Sequence, residues 1–401
     1  MKHTITLRSA RSCLALVVAV LLASTYGCKK TATPAAGSEE ILSSSDNSGK
    51  QVGQFMQVNL VANNNEYGAA RIDPVLMNAW GLTFSPNGIA WIGAQAGHVS
   101  TVYNGEGAFV LGPVHIPSPG AAEGGNPTGV IFNPNATDFI IPGGAARFIF
   151  VGVDGVVSGW NPSQGNHAFR QLTVPASAFT GLTLAMNGAN NLLYAANFRA
   201  GKINVWDKNW MPVNLPFTDT RVPRGFSPFN IQNIGGLLYV TYAKVGPDGR
   251  SQAGRGLGFV DIFSPAGMLL HRFAEDHRLN APWGLAMAPA SFFPQKKDDD
   301  KDDHHDNNGK HNDDPVILVG NFGDGRINVF RQDGKFLGQL GMDHHHALII
   351  PKLWAIMFPP TTSTLDQNRL YFTAGPDDEH DGLFGYIIKQ VQMMDDEETD
   401  E

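Results

Sequence analysis

Beyond residue 27, apolar positions fall in short runs that alternate with polar ones. They are rich in Val, Ile, Phe, Trp and Tyr and are separated by clusters of Gly, Asn, Asp and Pro. A period of two marks half-buried strands, and no run carries the 3.6-residue period of an amphipathic helix. Leu238–Ala243, Ile317–Asn321, Arg326–Arg331 and Lys335–Gly341 are examples. The strands also repeat. Tyr194–Asp207 (YAANFRAGKINVWD) and Leu318–Arg331 (LVGNFGDGRINVFR) lie 124 residues apart and share 6 of 14 positions in register. Each is a pair of apolar strands around a Gly/Asn/Asp turn, so the repeating unit is β.

A shorter landmark precedes these pairs, an aromatic or small residue followed by Gly-Leu or its equivalent. It is centred on Gly81, Gly129, Gly181, Asn230, Gly284 and Ala355, at intervals of 48, 52, 49, 54 and 71 residues. The last interval contains the polar run Lys296–Asp314; without those 19 residues it is 52. Six units of this size suit four-stranded propeller blades. The predicted fold is all-β, a six-bladed β-propeller over residues 54–390. The last unit lacks a strand, and Phe55–Asn63 stands alone before the first. Closing the ring with this N-terminal strand removes a free sheet edge.

Residues 1–27 read as a lipoprotein-type signal peptide: Lys2, Arg8 and Arg11, then the apolar run Leu14–Ser24, then Gly27-Cys28. Cys28 is the expected lipidation site. Cys13 lies inside the signal, so the folded region has no thiol chemistry. Residues 28–53, rich in Ser and Ala and poor in apolar residues, read as a flexible tether. Residues 391–401 form an acidic tail. The formal net charge of −8 includes −4 in Lys296–Asp314, −6 in Asp395–Glu401 and +3 in the signal, leaving −1 elsewhere. The propeller is therefore nearly neutral, which argues against a nucleic-acid partner. The 296–314 insertion is expected to be a disordered, solvated loop, despite His304, His305 and His311.

Propellers usually bind ligands on the face where the loops leading into inner strands meet the hairpins between second and third strands. Asn78, Asn126, Asn230 and Asn280 fall before inner strands, and Asp377 and Asp378 fall in the last hairpin. Amide oxygens and carboxylates together are hard-cation chemistry, so these six are the candidate metal ligands; the cofactor is left unknown, Ca²⁺ being the ion such a set suits. Asn and Asp are also favoured turn residues, and the repeated Asn197 and Asn321 are expected to be hairpin devices. The cluster Asp377-Asp378-Glu379 exceeds what a turn needs. His98 and His380 are the candidate general bases. Neither a G-x-S-x-G elbow nor H-E-x-x-H is present.

Asn78–Asn87 (NAWGLTFSPN), Asn126–Pro134 (NPTGVIFNP), Ala281–Pro289 (APWGLAMAP) and Leu370–Gly385 (LYFTAGPDDEHDGLFG) resemble a family of uncharacterised bacterial secreted propellers. Some members of that family end in a PEP-CTERM sorting signal, which this chain lacks. More distantly, the Trp-Gly-Leu strands are similar to NHL-repeat and gluconolactonase-like propellers. The resemblance implies an exported six-bladed propeller and brings no catalytic residues with it.

The expected function is that of an extracytoplasmic, lipid-anchored binding or scaffold module, monomeric, for an extracellular polysaccharide or protein. Its contact with membrane is through Cys28 only, and the outer membrane is favoured in a Gram-negative cell. The alternative is a Ca²⁺-dependent hydrolase of lactone or ester type, with its site at the central channel. The sequence is compatible with an enzyme and with a non-catalytic module alike.

Overall fold

The computed structural model describes residues 50–293 and 315–390. Six mainly antiparallel sheets of three or more strands follow one another along the chain, with a small two-stranded ribbon of Ile140–Ile141 and Gly144–Ala145 beside them. The first blade comprises Ala79–Phe84, Ala90–Ala94, Val99–Tyr103 and Phe109–His115. The second comprises Pro127–Phe132, Phe148–Gly152, Val156–Trp160 and Phe169–Thr173. The third has three strands, Phe179–Asn187, Asn190–Asn197 and Lys202–Trp206. The fourth comprises Phe226–Ile234, Leu237–Val245, Gly258–Phe263 and Leu269–Ala274. In the fifth lie Pro282–Ala288, Val316–Asn321, Ile327–Arg331 and Phe336–Leu340. The sixth comprises Leu353–Met357, Leu370–Ala374 and Leu383–Lys389. Each inner strand touches the next, and Leu353–Met357 returns to Ala79–Phe84, closing the ring. The chain is a six-bladed β-propeller.

The closing strand is the expected one. Phe55–Ala62 runs antiparallel to Leu383–Lys389, from Phe55↔Lys389 to Ala62↔Leu383. Just before it, Gln51–Val52 adds a parallel strand outside the fifth blade. The third blade departs from the four-strand pattern. After Trp206 the Asp207 carboxylate accepts the main-chain N–H groups of Asn209 and Met211, which bends the chain into a turn. Pro212 and Pro216 then remove donors that a fourth strand needs.

The landmark glycines have a packing reason. Inner strands approach so closely at the axis that a Cβ on Gly81 would lie 2.4 Å from the Thr128 carbonyl oxygen, and one on Gly181 2.0 Å from Asn230 Oδ1. The leucines that follow them pack into the surrounding core instead. Leu82, Leu182 and Leu285 are buried there, each contributing about 1.5–3 kcal/mol of transfer free energy.

Candidate functional site at the channel mouth

All six hairpins between second and third strands project to one face and line a single cavity of about 610 Å³. The first blade contributes Gln95, the second Val153 and the third Phe198 and Arg199. The fourth contributes Asp248–Ser251 and Ala253, the fifth Phe322, and the sixth Asp378 and Glu379. Lys352, from the loop leading into the sixth inner strand, completes the rim. The face is the one that blade geometry predicts.

The floor is aromatic. Trp354 stacks on Trp80 at 3.5 Å between ring centroids and on Phe322 at 4.0 Å, with Phe229 tilted against it at 5.8 Å. The Trp354 indole donates to Asn78 Oδ1 at 2.8 Å. Below this floor the inner strands of all six blades leave a gap of only about 20 Å³. That is room for a single water and no ligand.

The rim is held by a hydrogen-bonded chain that crosses blades. Asn126 donates its main-chain N–H to Asp154 Oδ2 at 3.0 Å and accepts from Gln95 Nε2 at 3.0 Å. Gln95 Oε1 accepts from Asn78 Nδ2, which also reaches Glu379 Oε2 at 3.1 Å. Glu379 in turn pairs with Arg250 at 2.9 Å. Arg250 belongs to the 12-residue connection Gly246–Leu257 of the fourth blade, so this pair spans non-adjacent blades. Within that connection Ser251–Gln252 folds back to pair with Lys244 and Val245, stiffening it.

Backbone conformation aims the sixth hairpin. Asp377, Asp378 and Glu379 all have positive φ, 49°, 53° and 74°. Left-handed backbone costs a non-glycine residue roughly 1–2 kcal/mol, and three in succession are paid for by anchors at the far end. Asp381 accepts from Asn63 at 2.7 Å and Tyr67 at 2.5 Å, both on the closing N-terminal segment. Asn78 and Lys352, two positions before the floor residues Trp80 and Trp354, are left-handed as well, at φ 46° and 53°. This turn is what brings their side chains to the rim.

The carboxylates respond differently. Burial pushes Glu379 above the usual range, against the opposing pull of Arg250 and Lys352. Asp378, exposed and 2.7 Å from Lys352 Nζ, is held below it by that hydrogen bond and charge. Burial also raises Asp324, beside Asn321 in the fifth hairpin. Away from the bowl, Arg272 serves two buried carboxylates. Desolvation pushes Asp261 to about 6. Burial acts on Asp219 in the same sense but is outweighed by hydrogen bonds from Arg221 and Arg272, which hold it at about 2.

The six expected metal ligands do not share one centre. Asn78 and Asn126 meet through Gln95 at the rim. Asn230 turns below the floor, its amide against Gly181 and its Nδ2 donating to the Trp283 carbonyl at 2.8 Å. Asn280 Oδ1 accepts the Gly254 N–H at 2.6 Å, and its own main-chain N–H goes to Asn321 Oδ1. Asp378 is bonded to Lys352. Asp377 is 72% exposed and lies beside His380. Among the described residues no group of three or more His, Cys, Asp or Glu is arranged around a metal position. His98 bonds the Gly125 carbonyl at 2.8 Å, and neither it nor His380 lines the bowl. Asn197 and Asn321 do act as hairpin devices. Asn197 Oδ1 accepts from Ala178 and Ala200, tying the hairpin to the loop that leads into its blade.

Sequence reasoning passed over Gln95, Arg199, Arg250 and Lys352. Arg199 stands opposite Gly323 at one of the eight positions where the two copies differ, and carried no distinct signal. Cys28, the signal, most of the tether, the 296–314 insertion and the acidic tail lie outside the described residues.

No family model matches the chain. Over 349 residues it is 31% identical to uncharacterized protein R648 of Acanthamoeba polyphaga mimivirus, covering 83% of this chain and 80% of that protein. The chain belongs to this protein's family. Uncharacterized protein L690 of the same virus is 30% identical over 83% of this chain and 86% of its own length. Among solved structures, a streptogramin B lyase is similar at 12% identity and a TM-score of 0.47, covering 84% of this chain and 98% of that one. An auxiliary nutrient binding protein from Bacteroides thetaiotaomicron is similar at 12% identity and a TM-score of 0.48, with 78% and 69% covered.

Proposed function

We propose that this family member is an extracytoplasmic binding module that holds the end of an extracellular polysaccharide in the bowl, tethered to a membrane through lipidated Cys28. The observation that carries the reading is the single cavity walled by all six hairpins. Its volume lies within the roughly 300–1,000 Å³ of small-ligand sites. Its wall offers amides, carboxylates and guanidinium groups to sugar hydroxyls, and its floor is apolar. Because the floor closes the channel below, a glycan enters end-on and does not thread through.

A glycan array probed with the wild type and with Ala253→Trp tests this. Ala253 lies on an exposed loop and lines the bowl, so the indole fills the site without disturbing the core. Retention of a glycan by the wild type and its loss in Ala253→Trp is the expected result. Equal retention by both proteins, or none by either, overturns the reading. For the anchor, Cys28→Ser is expected to release the protein from the membrane fraction.

A hydrolase reading is favoured by one observation, the largely but not fully buried Glu379 side chain at the rim with its proton affinity raised. A raised carboxylate in a cleft is a candidate general acid. Turnover of a lactone or aryl-ester panel, abolished by Glu379→Gln, would support it. The six expected Ca²⁺ ligands do not fit a common cation as they are arranged, so no step is routed through one.

A further inference from the structure

Three cations and three anions line the bowl, and they are not paired one with one. Arg199, Arg250 and Lys352 reach it from three different blades. Lys352 is neutralised by Asp378 and lies over the Phe322 ring. Arg250 gives one terminal nitrogen to Glu379 Oε2, and its side chain is 63% exposed. Asp248 turns back on its own loop and accepts the Arg250 main-chain N–H at 2.9 Å. Arg199 is exposed and has no ion-pair or hydrogen-bond partner among the described residues. The rim thus presents one free guanidinium and one that is singly bonded.

Glu379 is a poor permanent partner for Arg250. A guanidinium pairs most strongly when both carboxylate oxygens are engaged. Here Oε2 alone serves both Arg250 and Asn78. The Glu379 side chain is only 12% exposed, and a desolvated carboxylate favours its neutral form. An incoming carboxylate can present both oxygens to Arg250, whose side chain is largely exposed.

We propose that the bowl selects glycans that carry a carboxylate, that Arg199 and Arg250 receive it, and that Glu379 is the internal carboxylate it displaces from Arg250. This rests on the glycan reading above and narrows it to acidic sugars of the uronic acid type. Once Arg250 is drawn to the ligand, Glu379 keeps Lys352 as a facing cation and Asp378 as a neighbouring anion, with Asn78 as its hydrogen-bond donor. Losing a cation raises its proton affinity further, so ligand binding is coupled to proton uptake by Glu379 in the pH range where it titrates. Binding coupled to proton uptake strengthens as pH falls, down to the point where the sugar carboxylate itself protonates.

The test is calorimetric titration of the intact protein with a galacturonate oligomer and with its methyl ester, probes that differ in charge and in the ester methyl. The wild type is expected to bind the acid at least tenfold more tightly than the ester. Arg199→Ala is expected to narrow that preference, and Arg199→Ala combined with Arg250→Ala to abolish it. Glu379→Gln is expected to bind the acid at least as well as the wild type and to lose the proton uptake, measured as the dependence of heat on buffer ionisation. A merely structural Glu379 would not move that last readout. Equal binding of acid and ester overturns the proposal. So does binding of neither when a neutral glycan is retained by the wild type and lost in Ala253→Trp, and the glycan reading then stands. If no glycan of any charge is retained, both fall together.

Discussion

Above the aromatic floor the channel is a bowl of about 610 Å³ walled by hairpins; below it, inner strands close to a gap of about 20 Å³. Both ends draw on all six blades, yet they are built from different parts of each unit. The lower end uses the landmark itself, where Gly81, Gly129, Gly181 and Gly284 let neighbouring backbones touch. The upper end uses residues that differ from blade to blade, Gln95, Arg199, Arg250 and Glu379 among them. Repetition therefore marks the part that holds the ring together, and departure from repetition marks the part available for recognition. Trp354 touches both, flooring the bowl while Trp283, which lines the lower gap, packs edge-on against its ring.

The contrast is broken most severely at that shared residue. Trp354→Ala removes the ring between Trp80 and Phe322 and leaves the Asn78 amide oxygen without its donor. A loss of about 3–5 kcal/mol is expected in urea unfolding, together with loss of ligand binding. A loss below about 1 kcal/mol would mean that the floor is not structural.

Gly81→Val tests the lower end alone. Its Cβ would meet the Thr128 carbonyl, which is main chain and has no rotamer to yield. About 3 kcal/mol of destabilisation is expected. Arg199→Ala, on the exposed rim, is expected to stay within about 0.5 kcal/mol of the wild type. Similar effects from the two would erase the division between scaffold and rim.

The smallest effect belongs to Glu379→Gln and is read in its pH dependence. Burial raises the proton affinity of Glu379 in the folded state. Between its ordinary and its raised range, the folded protein then binds more protons than the unfolded chain, so stability rises as pH falls through that window. The wild type is expected to gain on the variant when thermal melts move from pH 7 towards pH 5. Parallel melts across that range would show that Glu379 titrates as a solvated group.

The fold was legible because its causes are local. Period-two alternation, turn clusters and the Gly-centred landmark identify each blade from its own residues, and Phe55–Ala62 was recognisable as the closing strand because the last unit lacked one. The third blade escaped because the turn at Asp207 and the prolines after it act on hydrogen bonds that alternation does not register. Asn197 and Asn321 were legible as turn devices since the repeat showed them twice.

The candidate site was legible only as a face. Four Asn residues before inner strands look equivalent along the chain. Yet Asn78 and Asn126 join the rim, Asn230 drops below the floor, and Asn280 ties down the Gly254 and Asn321 segments. Sequence alone determined the six blades, their closure and the end of the ring that carries the variable hairpins, because periodicity and packing patterns are written within each unit. Tertiary structure decided which side chains converge. The Arg250–Glu379 contact joins residues 129 positions apart on non-adjacent blades, and it depends on three consecutive left-handed residues whose cost is met by anchors on the N-terminal segment. No local pattern encodes that distance or that strain.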